Sequence, residues 1–186
     1  MRVTLAQSAG FCYGVRRAVE LARQTAAETG RCWMLGDLIH NVHVVEELKC
    51  IGIQKVESVE ALQPGDTVII RSHGESKQIL DCLKARGVRC VDATCPNVRR
   101  IQILAAQAEE EGRTPVIIGD AAHPEVAGIA SWCGHPLIFS GPEAVEEWLK
   151  QDPKARETPV TVVAQTTCIR ELFETSWKIV KKECTN

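Results

Sequence analysis

At 186 residues with 45% apolar content, the chain can bury a real core as one large domain or two small ones. Its net charge of −2, with acids and bases interspersed, offers no basic stripe for nucleic-acid phosphates, so nucleic acid is not expected as a partner. The opening Met1-Arg2-Val3-Thr4-Leu5 reads as a strand rather than a signal segment, and no apolar run approaches the roughly 18 residues of a membrane span, so a cytoplasmic protein is expected.

Apolar periodicity places a first strand over residues 2–7 and a helix from Tyr13 to Thr29, in which Val15, Ala18, Val19 and Ala22 follow helical spacing and Gly30 ends the segment. Further strands are expected at Trp33 to Leu35, Ile53 to Val56, Thr67 to Arg71, Val88 to Val91, Pro115 to Ile118, Leu137 to Phe139 and Val160 to Ala164, with helical patterns between most of them. That alternation predicts an α/β fold of parallel layers joined by right-handed crossovers. A short pattern recurs in Thr67-Val-Ile-Ile-Arg-Ser-His73-Gly74, Thr114-Pro-Val-Ile-Ile-Gly-Asp-Ala-Ala-His123-Pro124 and Thr158-Pro-Val-Thr-Val-Val-Ala-Gln165. Each reads as strand, polar turn, helix. The expected organisation is repeated small α/β lobes with mostly parallel sheets, residues 1–94 forming one and residues 95–186 the next, and a ligand site at strand ends where lobes meet.

Cys12, His40, His73, Cys95 and His123 all lie where an apolar run gives way to a turn or helix start. The nine cysteines are odd in number and irregularly spaced, without a C-x-x-C pair, which speaks against a disulfide framework and against a local zinc ribbon. Most are expected to be small buried hydrophobes. Cys95 differs, because Asp92-Ala-Thr-Cys95-Pro96 sets it just before a helix whose first position suits proline, where unpaired N–H groups favour a thiolate. Gly10-Phe-Cys12-Tyr-Gly14 makes a similar case, with glycines that permit close backbone approach. Neither G-x-G-x-x-G nor a P-loop occurs, and Arg16 and Arg17 are expected simply to meet water. Imidazoles at His40, His73 and His123 can donate to phosphate oxygens, although each alone also reads as an ordinary loop histidine. Glu125 is either a proton donor or a first-turn acid facing the helix dipole, and Gln165-Thr166-Thr167 either offers hydroxyls to a ligand or caps a helix.

Gly10-Phe-Cys12-Tyr-Gly-Val, Ile39-His40-Asn41, Ser72-His73-Gly74, Asp92-Ala-Thr-Cys95-Pro96, His123-Pro-Glu125-Val and Gln165-Thr166-Thr167 occur in this order, and by them the chain resembles the 4-hydroxy-3-methylbut-2-enyl diphosphate reductases of the non-mevalonate isoprenoid pathway. The resemblance implies three α/β lobes around a [4Fe-4S] cluster. It implies that Cys12 and Cys95 are two of three cluster thiolates, that His40, His73, His123 and Thr166 bind an allylic diphosphate substrate, and that Glu125 delivers a proton. The reaction implied is two-electron removal of the substrate hydroxyl, giving isopentenyl and dimethylallyl diphosphates, with ferredoxin or flavodoxin as electron donor and an open iron acting on the leaving oxygen.

Family members draw the third cysteine and a Ser-x-Asn segment from a third lobe, which is expected to be absent from this chain, and residues 1–12 are expected to pair with it. Cys184 reads as a helix-end residue and Cys168 as a core or surface thiol, not as the third ligand. Two other readings stay open at this point: a non-catalytic diphosphate-binding or partner-binding remnant, and a zinc-dependent hydrolase.

Overall fold

The computed structural model describes residues 3, 4, 6, 7 and 9–184. No described helix is long and apolar enough to cross a membrane. The expected strand over residues 2–7 falls partly on Arg2 and Leu5, outside the described residues, while Val3, Thr4 and Ala6 are exposed and carry no strand. Those three residues belong to neither sheet, and an extended segment without a neighbour has no ladder to satisfy its N–H and C=O groups.

The chain forms two compact units, one of residues 1–72 and 83–95, the other of residues 73–82 and 96–186. In the first, β1 (Cys32–Leu35), β2 (Ile53–Val56), β3 (Thr67–Ile70) and β4 (Arg89–Asp92) form a sheet of order β2-β1-β3-β4. Every pair is parallel, with Cys32 opposite Ile53 and Ile70 opposite Asp92. All four residues of β3 are buried, the continuous apolar run of a central strand covered on both faces. Helix α1 (Tyr13–Thr29) turns Gly14, Ala18, Ala22, Thr25 and Ala26 inward, a stripe of mostly small residues at helical spacing that packs into the core of Met34, Leu48, Ile53 and Ile69. Gly30 ends it in the left-handed region (φ 69°), where glycine carries no Cβ penalty, and its N–H donates to the Ala26 carbonyl at 2.9 Å. Helix α2 (Val42–Cys50) follows β1, and α3 (Lys77–Ala85) runs from the second unit back to the first.

The second unit holds α4 (Pro96–Glu110), β5 (Thr114–Ile118), α5 (Pro124–Ala130), β6 (Leu137–Phe139), α6 (Pro142–Gln151), β7 (Val160–Ala164) and α7 (Arg170–Glu183). Its sheet has the order β6-β5-β7, again wholly parallel. Val116, Ile117 and Ile118 of the central strand are fully buried, with Val145, Leu149 and Val180 packed on one face and Ala105, Val126 and Ile129 on the other. In both units the carboxyl ends of the strands lead into the turns that carry the polar residues singled out above.

Candidate functional site

In the first unit the turn after β4 is built around Asp92. Its Oδ1 accepts the Thr94 backbone N–H at 2.9 Å and also the Thr94 hydroxyl, folding the chain back just before Cys95. The Cys95 N–H then donates to the Ser72 carbonyl at 2.7 Å, and α4 starts at Pro96, where no donor is needed. Cys12 is the exposed, extended N-cap residue of α1 (φ −62°, ψ 166°). The two segments meet at Gly14. A Cβ there would lie 2.5 Å from Cys95 Sγ and 3.1 Å from Cys95 Cβ, so only a residue without a side chain lets the first turn of α1 rest on that thiol. One turn on, Arg17 is half-buried and donates to the Thr94 carbonyl at 3.2 Å, so it fastens α1 to the Cys95 turn instead of meeting water, whereas Arg16 is exposed. His40 is exposed in the turn after β1, beside Asn41, whose Oδ1 caps α2 by accepting the Val44 N–H at 3.2 Å.

The second unit brings His73, His123, Glu125 and Thr166 into one constellation. The rings of His73 and His123 lie edge to face with centroids 6.4 Å apart. His123 is the N-cap residue of α5, and its Nδ1 accepts the Glu125 N–H at 3.1 Å, which places the proton of a neutral ring on Nε2, the nitrogen able to donate to an oxygen anion. Glu125 follows Pro124 in the first turn and is 3% exposed. Both of its oxygens accept from one residue on the next strand-end turn: the Thr166 N–H donates to Oε1 at 2.6 Å and the Thr166 hydroxyl to Oε2 at 2.8 Å. Such a bidentate grip fixes the carboxyl plane and leaves the Thr166 oxygen a lone pair for another donor.

Gln165 holds this arrangement together, a role its hydroxyl-bearing neighbours obscured in the sequence. Its Oε1 accepts the Asp120 N–H at 3.3 Å and its Nε2 donates to Thr167 Oγ1 at 3.0 Å, joining the turns after β5 and β7. The amide passes over Gly119, where a Cβ would fall 2.9 Å from Gln165 Cβ and from Val126 Cγ2. Space for the clasp therefore depends on a glycine at the end of β5.

Of the other seven thiols only Cys32 and Cys184 are buried; Cys82, Cys133 and Cys168 are half-buried and Cys50 and Cys90 exposed, so most are not the small buried hydrophobes expected, because they lie on helix and strand faces or turns open at least partly to solvent. Desolvation, reinforced by the negative charge of Glu109, pushes Cys133 up to about 11, and burial likewise raises Cys32, Cys168 and Cys184. Cys184 ends α7, buried at the edge of the core with its Sγ 3.5 Å from the Ala155 carbonyl, and Cys168 packs partly buried against the same core. Among the described residues no group of three or more His, Cys, Asp or Glu side chains is placed to hold a metal ion.

A family model described as LytB protein matches residues 3–186. The 4-hydroxy-3-methylbut-2-enyl diphosphate reductase of Geobacter sulfurreducens is 40% identical over 186 residues, covering 99% of this chain and 62% of the relative. That of a Thermoanaerobacter species is 37% identical over 187 residues, covering 97% and 62%. The chain thus spans about 62% of the length of these relatives. A solved structure of (E)-4-hydroxy-3-methyl-but-2-enyl diphosphate reductase, the terminal enzyme of the non-mevalonate pathway, superposes with a TM-score of 0.83 at 35% identity, over 97% of this chain and 64% of that one. The E-1-hydroxy-2-methyl-but-2-enyl-4-diphosphate reductase of Plasmodium falciparum gives a TM-score of 0.86 at 25% identity, over 95% and 55%. The chain belongs to the LytB protein family.

Proposed function

We propose that the chain supplies two of three lobes of a reductase that converts 4-hydroxy-3-methylbut-2-enyl diphosphate to isopentenyl and dimethylallyl diphosphates. The observation that carries this reading is the buried Glu125 carboxyl held at both oxygens by Thr166, two residues after His123. Removing an allylic hydroxyl as water, C–OH + 2e⁻ + 2H⁺ → C–H + H₂O, needs a proton at the leaving oxygen and a second at carbon. Glu125 and Thr166 form a two-member relay suited to the first of these. A protonated Glu125 donates to the Thr166 oxygen, and the Thr166 proton passes to the substrate hydroxyl. His73 and His123 supply imidazole donors for the diphosphate without a large fixed positive charge, and the resemblance assigns His40 to substrate binding as well.

With a ferredoxin- or flavodoxin-type protein as the electron donor, a [4Fe-4S] cluster, when bound, would supply redox capacity and an iron to polarise the leaving oxygen. Donor chemistry in the first unit fits part of its ligand set. Cys12 and Cys95 are thiols at two helix starts, and Gly14 leaves the Cys95 sulfur a side-chain-free wall. A cluster with one open iron takes three thiolates, and the resemblance to the family assigns the third to a further lobe.

The test begins with anaerobic iron–sulfur reconstitution of the chain and titration with the substrate diphosphate. Visible absorption lost in Cys12→Ser or Cys95→Ser is the expected result for the cluster, and weaker substrate binding in His73→Ala and His123→Ala the expected result for the pocket. Unchanged affinity in both histidine variants would refute the pocket, and reconstitution indifferent to both cysteines would refute the cluster site. In a cluster-loaded chain completed by the third lobe, Glu125→Gln should lower turnover on the order of a hundredfold, the scale of a lost general acid, with substrate binding retained.

A further inference from the structure

The buried face of α4 reads Val98, Gln102, Ala105, Ala108, so an apolar stripe at helical spacing is interrupted by a single amide. Gln102 is wholly inaccessible, and among the described residues neither its Oε1 nor its Nε2 has a hydrogen-bond partner. Native folds rarely leave a primary amide dry, because its lost hydration is not returned by packing. The space beside it is made by Gly128 of α5. A Cβ at that position would lie 3.8 Å from the His73 carbonyl oxygen and 3.9 Å from Gln102 Nε2. One point next to Gly128 is therefore in van der Waals reach of an acceptor and a donor at once. That is the pairing a buried water uses, accepting from an N–H and donating to a carbonyl.

We propose that Gln102 is a positioning residue that, with the His73 carbonyl, holds one buried water beside Gly128, and that this water fixes the His73 main chain opposite His123. The water bridges a core helix to one member of the histidine pair, so ring placement at the site depends on an amide that never touches a ligand. Its effect on diphosphate binding rests on the functional reading above; the water and the placement of His73 do not.

Two variants test it from opposite sides. Gln102→Met keeps side-chain volume but removes both polar atoms, whereas Gly128→Ala keeps the amide and sets a methyl group where the water would sit, at ordinary contact distances from its neighbours. In the histidine-labelled chain, both should shift the His73 imidazole C–H resonance and leave that of His135, whose side chain is 96% exposed, in place. A water-to-side-chain NOE at the Gln102 amide should be present in the parent and lost in Gly128→Ala. Inorganic pyrophosphate should bind about fivefold more weakly to each variant, the ratio of one ordinary hydrogen bond. A His73 resonance unmoved in Gly128→Ala, or no water NOE in the parent, would overturn the proposal, and Gly128→Ala decides alone should Gln102→Met not fold. A moved resonance with unchanged pyrophosphate affinity supports the water and instead refutes the diphosphate reading.

Discussion

Gly14→Ala is the sharpest perturbation available in the first unit, because the cost can be assigned to one atom. The new methyl would lie 2.5 Å from Cys95 Sγ, a separation that forces movement, and 3.1 Å from Cys95 Cβ, which is tight but tolerable. Neither neighbour swings away easily. Cys95 has a short side chain, its N–H is tied to Ser72 at 2.7 Å, and Arg17 holds α1 to Thr94 at 3.2 Å. Overpacking of this kind costs about 1–3 kcal/mol, against a gain of at most about 1 kcal/mol from replacing glycine in a helix. Cys95→Ala removes the overlapping sulfur, so in that background the same substitution should be close to neutral, a coupling of about 1 kcal/mol or more. Urea unfolding of the four proteins of the cycle without a cluster, followed by far-UV circular dichroism, measures it directly. Equal cost of Gly14→Ala in the two backgrounds would show that the thiol does not rest on α1, and the joint placement of the two cysteine segments would fall with it.

Thr166→Val keeps side-chain shape but removes the hydroxyl donor from Glu125 Oε2, which should destabilise the second unit by about 1.5–3 kcal/mol, while Thr166→Ser should retain most of the stability; urea midpoints that do not separate the two variants would count against the bidentate grip. Cys133 carries a pH dependence of definite sign. Its folded value is raised from 9.0 to about 11, so its contribution is whole below about pH 9 and is lost as pH rises toward about 11, where the unfolded chain ionises the thiol and the folded chain resists. The stability difference between the parent and Cys133→Ala should therefore shift against the parent across that window, and a difference independent of pH would refute the burial assigned to this thiol.

Regular structure was legible where periodicity and punctuation agreed. Helix α1 runs from Tyr13 to Thr29 as the spacing of Val15, Ala18, Val19 and Ala22 requires, and Gly30 stops it in the left-handed conformation expected of a C-terminal cap. Strands β2, β6 and β7 match their apolar runs, β1, β3 and β5 differ by one residue at one end, and β4 is shifted by one residue at both ends, where ladder pairing rather than composition decides. The strand expected over residues 2–7 shows the limit. Val3 and Thr4 have strand propensity, but a strand exists only with a neighbour, and residues 3, 4 and 6 have none among the described strands. The passage of residues 73–82 into the second unit has no local signature either, since the chain there simply continues past His73 and Gly74.

At the candidate site, residue types that bear chemistry were visible and the residues that place them were not. Cysteine and histidine at strand ends stand out because few structural duties require them there. Gly119 and Gly128 look like any other turn or helix glycine, and Gly14, legible as a close-approach glycine beside Cys12, makes that approach to Cys95 instead; each acts on residues apart from it in sequence, Gly119 on Gln165 and Gly128 on Gln102 and the His73 carbonyl. The same holds for polar side chains. Arg17 reads as a surface cation until the turn at Thr94 comes within 3.2 Å, and Gln165 reads as the prelude to two threonines until Asp120 and Thr167 engage both ends of its amide. A glycine that carries a functional close approach is thus recognised by what its missing Cβ would strike. By that criterion Gly14, with a sulfur at 2.5 Å, is the position where a single methyl should most disturb the Cys95 turn while leaving every other side chain in place.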